Sequence, residues 1–292
     1  MSFSSGLAYA LLAMLGFGLG DAISKVPSRQ FGPEKTIFYR NIFSLLFLSA
    51  IFIFFFRSYN FSFSVAFLAL LIGLIGYLPL LSFYRAMKSG KVGVIAPIAN
   101  SSLVFTTLFS LAFYHETLSI MQLISIIIVF AGMILVSVDF NDFKNSDFFS
   151  FSSGIPYALL TCFLWGLVFF LSKIPITFVG PFLTALLIEI GVLIMNFAHM
   201  AHSKIEFSVK AGHAKKLVAY SLLLGFFGAA GSLFSNLAIE NYKLSIVSAI
   251  VFANPVVSAI YGNIVYRERL LFKEVAAVFF MVFGVVLISY FS

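Results

Sequence analysis

GLIGYLPLLSFYRAMKSGK, residues 73–91, and GFFGAAGSLFSNLAIENYK, residues 225–243, open on the same Gly-x-x-Gly step and close on the same lysine. They stand 152 positions apart, and the match extends outward: Gly73, Gly76, Lys91, Glu116, Gly132 and Ser137 recur as Gly225, Gly228, Lys243, Glu268, Gly284 and Ser289. Upstream the offset is 148, with Gly18, Ser24-Lys25-x-Pro27 and Gly32-Pro33 returning as Gly166, Ser172-Lys173-x-Pro175 and Gly180-Pro181. A single four-residue insertion between the two matched blocks reconciles the offsets. The chain is one hydrophobic design written twice, and duplicated halves are what alternating-access carriers are built from.

Composition names the solvent. With 61% hydrophobic residues, 10% charged and a mean hydropathy of +1.08, a water-soluble fold of 292 residues would lack the polar side chains to cover itself. Lipid must surround most of the surface. The 39 phenylalanines suit that contact and say nothing of a ligand. Net charge is +7, yet the lysines and arginines sit at the ends of apolar runs, so positive loops facing an anionic leaflet explain the balance and a nucleic-acid role is not expected. Cys162 is the single cysteine, inside an apolar run, and reads as packing, without disulfide or metal. The first apolar run has a counterpart in the second half and reads as retained structure, not a cleaved leader.

Apolar runs fall at 7–26, 36–56, 65–87, 92–114, 119–138, 155–171, 182–200, 217–241, 244–266 and 272–289. Each is near the roughly 20 residues a helix needs to cross about 30 Å of hydrocarbon, and none alternates as a barrel strand would. The expected fold is an all-α integral membrane protein with ten transmembrane helices, divided into units at 1–140 and 150–292 by the hydrophilic connector 139–148. Five crossings per unit force the second to start on the opposite side, so the two five-helix repeats are inverted. Loops after odd-numbered spans hold thirteen Lys and Arg and those after even-numbered spans three, which by the positive-inside rule puts both termini outside.

Charges inside the hydrocarbon region are the informative minority. Asp21, Lys25 and Arg40 lie near the junction of the first two spans, either as an ion pair of Asp21 with Arg40 or Lys25 or as the mouth of a solute pathway. Glu189 falls at mid-span in the seventh, where a carboxylate must pair, protonate or meet water. Gly73, Gly76, Gly225 and Gly228 read chiefly as close-packing positions. Ser82 and Tyr84 in the third span and Ser232, Ser235 and Asn236 in the eighth could hydrogen-bond a solute, and Tyr84 and Asn236 are equivalent positions. Pro79, Pro97 and Pro255 are expected to interrupt their helices, with Asn100 and Asn254 beside two of the breaks, marking the fourth and ninth spans as cavity-lining. His115 and Glu116 are sequence neighbours that splay apart, His199, His202 and His213 lack ligand spacing, and no phosphate-cradling loop is present. Neither an enzyme, a cofactor, a metal site nor built-in ATP hydrolysis is expected. A channel or a non-transporting scaffold or lipid-handling protein is the alternative to a carrier.

The doubled five-helix unit, Gly18 and Trp165-Gly166, Phe83-Tyr84-Arg85-Ala86-Met87, Tyr114-His115-Glu116-Thr117-Leu118 and Tyr266-Arg267-Glu268-Arg269-Leu270 together resemble the drug/metabolite transporter superfamily, specifically the EamA-like permeases. The last two segments resemble the family's Gly-Glu corner with His115 and Arg267 in place of glycine. The resemblance covers essentially the whole chain. It implies a secondary transporter with the third, fourth, eighth and ninth spans around a central cavity, moving small organic solutes such as amino acids, nucleotide-like metabolites or drugs, with a proton or another ion as a coupling partner left open. It also implies cytoplasmic termini, against the charge count, and a multi-pass protein of a bacterial inner membrane. Substrate, direction and oligomeric state do not carry over.

Overall fold

A computed structural model describes residues 5–55, 62–137, 150–208, 211–267 and 271–292. Its α-helices are α1 (Ser5–Phe31), α2 (Pro33–Phe55), α3 (Phe63–Ser89), α4 (Val92–Asn100), α5 (Leu103–Phe113), α6 (Ile120–Ser137), α7 (Ile155–Val179), α8 (Pro181–His202), α9 (Ala211–Asn241), α10 (Leu244–Val251), α11 (Pro255–Val265) and α12 (Phe272–Tyr290). Helices α4 and α5 make one broken span, as do α10 and α11, so the ten expected crossings are present. Among the described residues nine are at least 19 residues long, and the tenth, α6, is a shorter apolar helix. The distribution of polarity is that of a protein in lipid: Phe54, Phe63 and Phe279 face outward, while Ser24, Asn41, Asn100, Thr106 and Asn196 are fully buried. The chain is an integral, multi-pass membrane protein.

The local turns show why the two halves start alike. Gly32 and Gly180 have φ of +89° and +86°, and each is followed by a proline that opens α2 or α8. Glycine accepts the left-handed turn without a Cβ clash, and proline at the first helical position gives up a donor that had no partner there. The result is the same sharp reversal between α1 and α2 and between α7 and α8.

A twofold relation between the halves is written into individual contacts. A Cβ on Gly132 of α6 would meet Met281 and Ala277 of α12, while one on Gly284 of α12 would meet Val129 and Ser125 of α6, the same positions after the 152 offset. Gly18 of α1 abuts Val257 and the Asn254 carbonyl, and Gly166 of α7 abuts Phe105 and the Ser102 carbonyl. Ser258 Oγ donates to the Gly18 carbonyl at 2.9 Å and its equivalent Thr106 Oγ1 to the Gly166 carbonyl at 3.2 Å. Tyr266 Oη donates to Ala22 at 2.9 Å and Tyr114 Oη to Phe170 at 3.0 Å. Gly73 of α3 lies against the Ile188 carbonyl of α8, and Gly225 of α9 against the Arg40 carbonyl of α2. Each half therefore packs chiefly on the other, and the repeats are inverted as the odd span count requires.

Sequence equivalence also explains the corners between α5 and α6 and after α11. His115 and Arg267 have φ of +52° and +55°, the left-handed region that glycine would enter freely. Beside His115, the Glu116 carboxylate joins the halves: Oε1 accepts from Lys173 Nζ at 2.6 Å and Leu244 N at 2.8 Å, and Oε2 from Ser245 N at 3.0 Å and Ser245 Oγ at 2.7 Å. It thereby caps the N-terminus of α10, where orphan backbone donors favour an anion. Its counterpart Glu268 lies outside the described residues.

Burial alone would push the Glu116 carboxyl up, but the Lys173, Ser245 and Leu244 donors outweigh it and hold the value below the ordinary one. A lowered folded value means the carboxylate's contribution is complete above the unfolded carboxyl range, about pH 4.3, and is lost as pH falls through the folded value. Glu116→Gln is therefore expected to cost about 2 kcal/mol at neutral pH, the scale of charge-assisted hydrogen bonds. The gap in Tm between wild type and variant should close on acidification below that range. A gap that stays constant down to acid pH would show that the carboxylate charge contributes nothing.

Candidate functional site

Two stripes facing one another define the site. Gly76, Leu80 and Tyr84 of α3 and Gly228, Ser232 and Asn236 of α9 are each four residues apart, so each triad shares one helix face, and the triads are equivalent at the 152 offset. Between them lies a cavity of about 160 Å³. Asp21 and Phe17 from α1, Arg40 from α2, Asn100 from the end of α4, Trp165, Val168 and Phe169 from α7, Glu189 and Val192 from α8, and Phe252 and Asn254 from the break before α11 complete the wall. The lining thus draws on α1, α2, α7 and α8 as well as the third, fourth, eighth and ninth spans.

Both helix breaks end at this cavity. Asn100 Nδ2 donates to the Ala96 carbonyl at 2.9 Å and Ser101 Oγ to the Pro97 carbonyl at 2.9 Å, occupying acceptors at the end of α4. In the ninth span the backbone turns at 252–254, with Asn254 N bonded to the Val251 carbonyl at 3.2 Å, and Pro255 opens α11. Irregular backbone at membrane depth survives where such partners or a cavity receive it. Pro79 behaves differently from expectation: α3 runs unbroken through it, and the Pro79 carbonyl accepts from Thr161 Oγ1 of α7 at 3.2 Å. A missing backbone donor is insufficient to end a helix that α7 and α8 hold along its buried face.

At the centre, Arg40 Nη2 meets Glu189 Oε1 at 3.1 Å, with side chains only 9% and 7% exposed. Arg40 Nη1 donates to Asn41 Oδ1 at 2.9 Å, and Asn41 Nδ2 to the Glu189 carbonyl at 3.4 Å. Asn41 and Glu189 are equivalent at the 148 offset, so the pair sits where the two halves face each other. Glycine at 228 makes room for it, since a Cβ there would lie 2.4 Å from Arg40 Nη2. At Gly76, its equivalent, a Cβ would meet its nearest neighbour at an ordinary contact distance of 3.7 Å.

Of the arrangements left open for Asp21, Lys25 and Arg40, a pairing of Arg40 with Asp21 gives way to this one. Asp21 Oδ2 accepts from Asn100 Nδ2 at 3.5 Å, and Lys25 lies one helical turn further on with its ammonium 5.4 Å from the Tyr266 ring centroid. The reason is rotational: Arg40 projects toward α8 and α9, where Glu189 offers a carboxylate and Gly228 leaves room. Ser82 is buried but absent from the cavity wall, because two residues from Leu80 and from Tyr84 place it on the far side of α3. Gly73 and Gly225 lie at helix crossings, Asn236 Nδ2 donates to the Pro181 carbonyl at 3.1 Å, and Asn254 Nδ2 donates to Asn100 Oδ1 at 3.0 Å. Sequence reasoning did not single out Phe17, Phe169 or Phe252 as lining residues. The repeat offset was the available signal, since it maps Asp21 onto Phe169 and Asn100 onto Phe252. Among the described residues no group of three or more His, Cys, Asp or Glu side chains could hold a metal.

Known proteins resemble this chain in sequence and in fold. An uncharacterized transporter of Archaeoglobus fulgidus is 26% identical over 217 residues, 73% of this chain and 71% of its own length. An uncharacterized protein of Methanocaldococcus jannaschii is 33% identical over 58 residues, 20% of this chain and 42% of that protein. One crystal structure superposes at a TM-score of 0.75 over 100% of both chains with 15% identity, which shows a shared fold. A model of the EamA-like transporter family, whose members are secondary small-molecule transporters and not enzymes, matches residues 4–138 and again 152–290. The matches fall one on each repeat and together span nearly the whole sequence: the chain belongs to the EamA-like transporter family.

Proposed function

We propose that the cavity between the two repeats, taken as units 1–140 and 150–292, is the binding site of a carrier that exposes a small organic solute to each side of the membrane in turn. One observation supports this above others: the wall is built from equivalent stripes, Gly76-Leu80-Tyr84 and Gly228-Ser232-Asn236, around a buried Arg40–Glu189 pair. Inverted repeats can exchange conformations, and a site between them is then reached from opposite faces. Arg40, Tyr84, Asn100, Glu189, Ser232, Asn236 and Asn254 are the polar groups that would meet the solute. A solute or ion gradient would drive the exchange, and a prokaryotic plasma membrane is the setting, in keeping with the archaeal relatives.

Single cysteines replacing Tyr84 and Asn236, in a Cys162→Ala background, test the reading. A solute chosen from a panel of amino acids, purines and quaternary amines by the rise in Tm it causes should change the labelling rates of the two cysteines in opposite senses, when a membrane-impermeant maleimide is applied to oriented vesicles. A channel would leave both positions reachable from both faces, and unchanged labelling with a stabilising solute would remove the alternating-access reading.

A further inference from the structure

The twofold relation lets the cavity wall be compared position by position, and at one pair of positions the halves carry opposite chemistry. Asp21 and Asn100 are the equivalents of Phe169 and Phe252 at the 148 and 152 offsets, and all four line the cavity. In the first half the two side chains touch as a carboxylate and an amide, Asn100 Nδ2 to Asp21 Oδ2 at 3.5 Å. In the second they touch as two rings with centroids 4.8 Å apart. One spatial relation, repeated by the symmetry of the fold, is a polar pole where the first repeat supplies it and an aromatic pole where the second does.

The polar pole is short of donors. Asp21 lines the cavity with one long hydrogen bond from Asn100. Asn254 gives its Nδ2 to Asn100, and its own Oδ1 is buried without a hydrogen-bond partner among the described residues. Glu189 Oε1 takes Arg40, while Glu189 Oε2 is likewise buried and unpartnered. Those two oxygens mark how few donors the surroundings hold, and Asp21, which reaches the cavity, is the acceptor there with capacity left for a ligand's donors. The formal charges point the same way, since Asp21 and Glu189 are two carboxylates facing the single guanidinium of Arg40. A protonated primary amine offers three N–H donors and one positive charge, which answers both deficits.

The aromatic pole and the cavity size set the rest of the ligand. About 160 Å³ is close to the roughly 150 Å³ apolar void known to hold one benzene ring. Phe169 and Phe252 present ring surface there, with Trp165 also in the wall. We infer that this cavity binds an amphipathic cation in one orientation, its protonated amine at Asp21, Asn100 and Asn254 and its flat apolar body against Phe169 and Phe252. This rests on the carrier reading for its use in transport, whereas binding itself is measurable alone.

Thermal unfolding of the purified protein in detergent, titrated with benzylamine, benzoate and n-butylamine, tests the inference. Benzylamine should raise Tm in a concentration-dependent way, benzoate should not, and n-butylamine should bind about tenfold more weakly for want of a ring. Asp21→Asn, nearly isosteric, should weaken benzylamine about tenfold or more, as loss of an ionic hydrogen bond does. Phe169→Leu should weaken benzylamine more than n-butylamine and so narrow the preference between them. Benzoate stabilising as well as benzylamine, no shift with benzylamine, or full benzylamine affinity in Asp21→Asn would each overturn it. Should a variant fail to fold, the wild-type ratio of benzylamine to benzoate affinity decides alone. The two readings fail separately: benzoate that binds and moves the cysteine labelling removes the polarity and keeps the carrier, whereas benzylamine that binds without moving it does the reverse.

Discussion

Arg40→Met should destabilise the protein by about 3–5 kcal/mol, the range for removing one member of a buried ion pair. Glu189 would be left with a charge that it can neither share nor hydrate, because its side chain is 7% exposed and its Oε2 already lacks a partner. Glu189→Met should do comparable damage by stranding the guanidinium, whose Nη1 would keep only Asn41. Making both substitutions together should return most of the lost stability, since two apolar side chains of similar reach replace a pair whose desolvation nearly cancels its attraction. Solute flux in proteoliposomes should stay abolished in the double variant, because the polar centre of the cavity is gone. Unfolding midpoints of the single and double variants, set beside flux, separate the structural contribution of the pair from its contribution to transport. A double variant as unstable as the singles would mean that the pair is not a closed unit, and one that still carried solute would remove Arg40 and Glu189 from the site.

The second large effect is expected at the crossing of α3 and α8. A Cβ at Gly73 would stand 2.2 Å from the Ile188 carbonyl oxygen and 2.9 Å from its Cα, and a backbone cannot swing aside as a side chain can. Across the same contact, a Cβ at Gly191 would stand 2.4 Å from the Leu70 carbonyl. The helices must part to admit even a methyl group, losing the close backbone approach that drives association in lipid. Gly73→Ala should therefore cost about 1–3 kcal/mol, after the helix-favouring effect of alanine has offset up to about 1 kcal/mol. Gly76→Ala, one turn away with its nearest neighbour at 3.7 Å, should be neutral or slightly stabilising. Equal midpoints for the two variants would show that α3 and α8 do not depend on this approach.

Much of the fold was legible because lipid imposes a simple rule on composition. Apolar length located every span, the 148 and 152 offsets carried the duplication, and the odd number of spans per repeat carried the inversion. Hydropathy has no rotational content in a helix that is apolar on all sides, which is why Ser82 and Tyr84 read alike although only Tyr84 reaches the cavity. For the same reason Arg40 was matched with residues near it in sequence, when its partner lies 149 positions away in the other half. Proline carried a backbone signal without a tertiary one: Pro255 stands at a break, Pro97 shortly before one, and Pro79 within continuous helix. The aromatic end of the cavity stayed hidden among 39 phenylalanines until position could separate Phe169 and Phe252 from those that face lipid.

The seam between α6 and α12 is built on equivalent positions of the two repeats. Gly132 and Gly284 each rest on the residues that the repeat maps onto one another, so trading the two repeats returns the seam to itself. Neither helix contributes to the cavity wall. Any swing that interchanges the two repeats must remake the contacts around the cavity, but this seam is identical at both ends of the stroke. In the alternating-access carrier proposed above it would be the natural fulcrum, and the remaining helices the arms that turn about it.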